Sequence, residues 1–153
     1  MKSLNLPPVQ FRIRQQGDKK QVFDVVRKKF VALTPEEWVR QHFIHFLMNQ
    51  KQYPAGLVAV EMPVAVNGLK QRADVVVYNR KGRPVVVVEC KAPSVSVSKA
   101  VFDQAARYNM QLQVDYLIVT NGLQHCCAHL NGTGNDYQMM ADFPDFDQIN
   151  TTK

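Results

Sequence analysis

The sequence predicts an α/β fold with an α-β-β-β-α-β core, in which a central mixed sheet is flanked by helices. Three observations predict it. Val75-Val76-Val77 and Val85-Val86-Val87-Val88 are apolar on both faces, as in central strands covered from both sides. Thr34-Pro35-Glu36-Glu37 opens a stretch of helical periodicity. A second helical stretch separates the Val85 strand from another strand near residue 115, which makes those two strands parallel, joined by a right-handed crossover.

In chain order, Val9, Phe11 and Ile13 alternate with polar residues, Gly17-Asp18 turns the chain, and Val22 to Val26 returns, which reads as an N-terminal hairpin over 9–26. In the first helix Thr34 is the N-cap, Pro35 suits the first position and Glu37 completes a capping box; Trp38, Phe43 or Ile44, and Leu47 then recur to about residue 50. Gly56 to Val66 reads as a strand, Asn67-Gly68 as a tight turn, and Arg72 to Tyr78 and Pro84 to Lys91 as two more strands. A helix follows from about Ser98 to Leu112, then a strand over Asp115 to Thr120. After Asn121-Gly122 comes a short hairpin over about 125–140, turning around Asn131 to Asn135. The last dozen residues read as loosely structured. No linker or repeat divides the 153 residues, so a single domain is expected, with its core over about 23–122.

Hydrophobic residues make up 46% and charged residues 21%, which argues against disorder, and the net charge of +6 favours a polyanionic partner. No apolar run approaches the ~20 residues that cross a bilayer. Met1 to Gln10 does not read as a signal peptide, and three cysteines make no disulfide framework, so a cytoplasmic protein with reduced thiols is expected. The chain has no P-loop, no Gly-rich dinucleotide fingerprint and no recognisable Ser/His/Asp arrangement.

The chemistry gathers on the hairpin between the valine strands. A tight turn centred on Lys81-Gly82 pairs residues so that Asp74 faces Glu89, with Cβ atoms ~5 Å apart. Lys91 shares a face with Glu89 by the period-2 rule. A one-residue bulge in the turn would break that register. Two carboxylates so close to buried valines would repel each other, and a divalent cation removes the conflict. Oxygen ligands of this kind suit Mg²⁺ or Mn²⁺, which supply Lewis acidity toward a phosphodiester. The bland alternative is that Asp74 and Glu89 are strand-end charges with Lys91 their salt-bridge partner; it suffices for any one of the three, whereas the trio on one face of a buried hairpin favours the functional reading.

Arg72-Ala73-Asp74, fifteen residues later followed by Glu89-Cys90-Lys91-Ala92-Pro93, resembles the PD-(D/E)XK nuclease core, and more narrowly the N-terminal nuclease domain of type I restriction enzyme R subunits. The likeness runs from about Phe23 to Gly122 and includes Leu33 to Trp38 and Thr120-Asn121-Gly122. It implies a restriction-endonuclease-like fold and metal ligation by Asp74, Glu89 and the backbone carbonyl of Cys90. It also implies that Lys91 assists the attacking water. Gln104-Ala-Ala-Arg-Tyr108 matches the QxxxY motif of such nucleases, with both side chains on one helix face. A first-helix glutamate often approaches the metal in this family; Glu37 is the candidate, although the capping box explains it equally well. Ala73 stands where the short motif has proline.

Lys70 and Arg72 are candidate phosphate contacts, whereas Arg80 to Arg83 read as a solvated turn. His42 and His45 read as a helix-surface pair, and His125 and His129 as strand residues too far apart, at ~13 Å, to share an ion. Cys90 points away from Glu89 and Lys91 into apolar surroundings. The expected function is a Mg²⁺- or Mn²⁺-dependent DNA endonuclease linked to restriction or defence, with partner subunits and no membrane. The alternative is a non-catalytic DNA-binding or assembly module on the same fold.

Overall fold

The computed structural model describes residues 1–66, 69–110, 112–130 and 136–151. The first sheet is an antiparallel meander of β1 (Ile13–Gln16), β2 (Lys19–Asp24) and β3 (Lys29–Ala32). Gly17 turns β1 into β2 with φ +65°, a conformation open to glycine. The expected two-stranded hairpin is therefore three-stranded. Val9 and Phe11 lie outside it, and the Phe11 ring instead meets Trp38, His42 and His45. The reason for the extra strand is Asp24: its buried carboxylate accepts the Val26 and Arg27 N–H groups, closing a turn that sends the chain back as β3.

Helix α1 (Pro35–Gln50) starts as expected, with the Thr34 hydroxyl accepting the Glu37 N–H. The capping box is only half formed, because the Glu37 carboxylate turns to Arg27, Arg40 and Gln41. His42 is buried rather than on the helix surface, its Nδ1 bonded to the Trp38 carbonyl. Burial holds the pKa of both His42 and His45 below the ordinary histidine value.

The main sheet runs β4 (Val58–Val66), β5 (Leu69–Tyr78), β6 (Pro84–Cys90), β7 (Tyr116–Thr120), β8 (His125–Leu130), β9 (Tyr137–Met139), in that spatial order. All neighbours are antiparallel except β6 and β7, the parallel pair joined through α2 (Lys99–Met110). Gly56 and Leu57, expected to begin a strand, belong instead to a 3₁₀ turn over Ala55–Leu57 after Pro54. The turns expected at Asn67-Gly68 and at Asn131 to Asn135 lie outside the described residues.

The sheet divides the core in two. Val39, Phe43, Ile44 and Leu47 of α1 cover one face, and Phe102, Ala105 and Ala106 of α2 cover the other. This is why Val75 to Val77 and Val85 to Val88 are apolar on both sides. The C-terminus is not loose: α3 (Phe146–Asn150) is capped by Asp145 and buries Phe146 and Ile149 on the α1 side, while the Tyr53 hydroxyl donates to the Pro144 carbonyl. Burial pushes that phenol well above its ordinary pKa.

Candidate active site

The β5–β6 register runs toward the expected pairing of Asp74 with Glu89, by a different turn from the expected one, but the two carboxylates do not meet face to face: Asp74 reaches toward Arg40 of α1 and Glu89 toward Asn109 of α2. Tyr78 pairs with Pro84, one residue out of step, and a bulge there restores Val77 to Val86, Val76 to Val87 and Val75 to Val88. The ladder then stops. One step further, the Asp74 Oδ2 itself accepts the Cys90 N–H at 2.8 Å. Lys91 Nζ lies 3.8 Å from Glu89 Oε2.

The ladder is interrupted on the other side of Asp74 too. Glu61, the β4 residue opposite, has φ +53°, left-handed backbone that costs about 1–3 kcal/mol in a non-glycine residue. The apolar alternation changes phase here in both strands. Val58 and Val60 pack toward α1 but Met62 toward α2; Val75 and Val77 face α1, but Ala73 faces α2. The twist turns the Glu61 carboxylate toward α1.

There it meets Arg40, which is 4% exposed and fans out to four carboxylates: Glu61 at 3.1 Å, Glu37 at 3.2 Å, Glu36 at 3.4 Å and Asp74 at 3.6 Å. Burial opposes the Arg40 charge, but Glu37 and Asp74 outweigh it and raise its pKa. Arg27 closes the far side, pairing with Asp24, Glu37 and Glu61. Arg72, largely exposed, pairs with Glu61 at 3.1 Å. Among the described residues, five carboxylates (Asp24, Glu36, Glu37, Glu61, Asp74) thus share three arginines (Arg27, Arg40, Arg72), an excess of two negative charges, while Glu89 pairs separately with Lys91. Burial, reinforced by Coulombic repulsion from Glu61, raises the pKa of Asp74; burial and the Asp74 charge raise that of Glu36.

Two clefts flank this end of the sheet. One, of about 450 Å³, is lined by Arg72, Glu89, Lys91, Gln104 and Tyr108, so both members of the QxxxY pair face the Glu89–Lys91 pair. Among the described residues the enclosed Tyr108 hydroxyl has no hydrogen-bond partner, and burial followed by the Glu89 charge raises its pKa. The other cleft, of about 710 Å³, runs past Phe30, Glu36, Arg40, Glu61 and Ala92.

The structure separates two neighbouring glutamates. Glu37, the sequence candidate, is buried among Arg27, Arg40 and Gln41, whereas Glu36 is half exposed and senses both Asp74 and Lys91. Lys70 lies in β5 with its side chain outside the described residues. Cys90 is buried on the α1 face, away from Glu89. Three residues escaped sequence reasoning. Arg40 and Glu61 belong to no motif that the sequence displays. Asn109, fully buried, donates to Glu89 Oε1 at 3.2 Å and to the Ala105 carbonyl at 2.8 Å. Its signal was its place, one residue after the QxxxY tyrosine.

Among the described residues no three His, Cys, Asp or Glu side chains converge on one point as a complete ion cage. The donors present are carboxylates spaced along a sheet end, which suits a cation that completes its shell with water and phosphate oxygens.

No curated protein matches the chain. A fragment assigned to the HsdR subunit of a type I restriction enzyme from Vibrio vulnificus has the same fold, with a TM-score of 0.53 and 20% identity. The alignment covers 76% of this chain but 24% of that one, so the chain spans about a quarter of the structure it resembles. The family model for the N terminus of type I restriction enzyme R proteins matches residues 35–144, from the first residue of α1 to the segment before α3. With the match extending over most of its length, the chain belongs to the type I restriction enzyme R protein N-terminal family.

Proposed function

We propose that this chain is a divalent-metal-dependent nuclease domain of the PD-(D/E)XK kind, cutting DNA phosphodiesters within a restriction or defence assembly. The observation that carries the reading is the excess of two carboxylate charges at a half-buried sheet end, where a lysine stands 3.8 Å from one of the acids. A purely structural ion-pair network gains nothing from such an imbalance, because each unpaired carboxylate in a partly dry site is costly.

Asp74, Glu89 and the Cys90 carbonyl would hold Mg²⁺ or Mn²⁺, with Glu36 rather than Glu37 as the first-helix carboxylate behind them. When bound, the ion neutralises the paired acids and supplies Lewis acidity to the scissile phosphate. Lys91 orients the attacking water and offsets charge gathering on the phosphate in the transition state. Asn109 fixes the Glu89 carboxylate, and Arg40 fixes Asp74 and Glu61; both are positioning residues. Gln104 and Tyr108 steady the nucleic-acid strand along the smaller cleft.

The test is cleavage of single- and double-stranded DNA with Mg²⁺, Mn²⁺ or EDTA, comparing wild type with Lys91→Ala. Loss of the assisting ammonium is expected to lower the rate by about 10² or more. Equal nicking by both proteins would overturn the mechanism. The chain's span of a quarter of the matched structure favours a nuclease that works alongside further domains or subunits.

A further inference from the structure

The basic character of this chain is confined to one part of it. Residues 1–34 contain eight lysines and arginines (Lys2, Arg12, Arg14, Lys19, Lys20, Arg27, Lys28, Lys29) against Asp18 and Asp24, and so carry the entire net charge of +6. The remaining residues hold eleven of each sign and are neutral. The boundary falls where the family match begins, at residue 35.

The β1–β3 meander sorts that charge by face. Its register places Arg14 against Gln21 and Gln16 against Lys19, and pairs Phe23 with Phe30; the alternation puts Arg12, Arg14, Lys19, Phe23 and Phe30 on one side. Val22, between these positions, is fully buried on the other. The Arg12 guanidinium lies 4.7 Å from the centre of the Phe23 ring, and that of Arg14 lies 4.0 Å from Phe30. Such stacking pre-orients a guanidinium, and although the Arg14 Nε donates to Gln21 Oε1 at 2.7 Å, its two terminal nitrogens remain for a phosphate. Of the two acids in the segment, Asp24 is buried and neutralised by Arg27, and Asp18 sits in the hairpin turn. Phe30 and Lys29 also line the larger cleft, which continues past Glu36 and Arg40 to Ala92, next to Lys91.

We propose that the outer face of β1–β3, through Arg12, Arg14 and Lys19 over the Phe23–Phe30 pair, is a phosphodiester-backbone platform that supplies the chain's affinity for nucleic acid and leads the strand through the larger cleft to the carboxylates. The proposal rests on the nuclease reading for what the platform delivers. Its affinity, however, is measured without any metal or cleavage. A peptide-binding role fits less well, because arginines stacked on rings around a neutral core complement a polyanion of repeating charge.

The experiment is fluorescence anisotropy of labelled duplex and single-stranded DNA with the full chain in EDTA, across a salt series. Arg12→Gln/Arg14→Gln is compared with Arg80→Gln/Lys81→Gln, which removes the same charge at the opposite end of the β5–β6 hairpin. The first pair is expected to weaken binding roughly tenfold near 0.1 M salt and to flatten the log–log salt slope on duplex by about 2, at about 0.9 per phosphate contact. The second pair is expected to change either quantity little. Arg12→Lys/Arg14→Lys, which keeps the charge, should hold the slope and guards against misfolding as the cause. Equal loss in both Gln pairs, loss in neither, or loss of binding to vesicles of anionic phosphatidylglycerol with DNA binding intact would each overturn the platform. Failure of the wild type to cleave DNA that it binds would instead count against the nuclease reading alone.

Discussion

At the scale of single residues, the burial of Asp74 carries a cost in stability. The residue lies mostly inside the fold, and desolvation raises its pKa above the ordinary 3.8 despite the Cys90 N–H, Arg40 and Lys91. A raised carboxylate pKa means that the folded state holds the proton more tightly than the unfolded chain. The stability it contributes is therefore complete below pH 3.8 and is lost as pH rises through the folded pKa. Asp74→Asn keeps an oxygen for the Cys90 N–H without that penalty. In EDTA at neutral pH the variant is expected to melt at or above the wild-type temperature, and its stability should fall less between pH 4 and 7. Thermal unfolding across pH decides it, and a variant clearly less stable at pH 7 would contradict the account. The strand pairing that carries Asp74 and Glu89 was legible because the valine runs fix which strands lie side by side. Arg40, Glu61 and Asn109 were not, because their roles arise from contacts between elements distant in the chain, where local periodicity carries no information.

At the scale of elements, the turn after β7 supports the site from behind. The Lys91 N–H donates to the Thr120 carbonyl, the Asn121 amide holds the Val95 carbonyl, and its Oδ1 accepts the Leu123 and Gln124 N–H groups. Thr120-Asn121-Gly122 thereby ties down the loop that leaves the candidate site. Gly122 sits at φ +87°, with Leu4 pressed against it: an added Cβ would meet a Leu4 methyl at 2.7 Å and Val39 at 3.1 Å. Gly122→Ala is expected to cost about 1–3 kcal/mol, from left-handed strain plus displacement of the N-terminal segment. Denaturant unfolding would measure it, and a neutral result would mean that Leu4 moves aside freely. Most elements were readable from alternation and turn residues. β3 and α3 were missed because each is short and is held by a carboxylate cap, Asp24 for the turn and Asp145 for the helix.

At the scale of the whole molecule, the charge is divided: a basic N-terminal sheet is joined to an electrically neutral core that contains a local acidic excess. Composition revealed the +6 but not its confinement to the meander, since only the paired register shows which residues share a face. If the acidic excess is a cation site, Mg²⁺ should stabilise the native fold by mass action. At about 100 times the dissociation constant the gain is about 2.7 kcal/mol, which raises the melting temperature by roughly 5–10 °C for a chain of this size. The rise should vanish in Asp74→Asn. A melting temperature indifferent to Mg²⁺ and Mn²⁺ would remove the metal from the proposal while leaving the fold and family unchanged.

The simultaneous phase change in β4 and β5 has a consequence for how this hairpin tolerates loss of residues. Because Glu61 and Asp74 sit at the same step of neighbouring strands, the two irregularities compensate and the pairing beyond them stays in step. Deleting Glu61 alone would set Met62 opposite Asp74 instead of Ala73 and put the pairing beyond that step out of register. Deleting both together would leave an uninterrupted ladder. The shortened protein would be an easier sheet to fold, with the acids and bases of its working end scattered, so this part of the chain is expected to gain or lose residues in matched pairs or not at all.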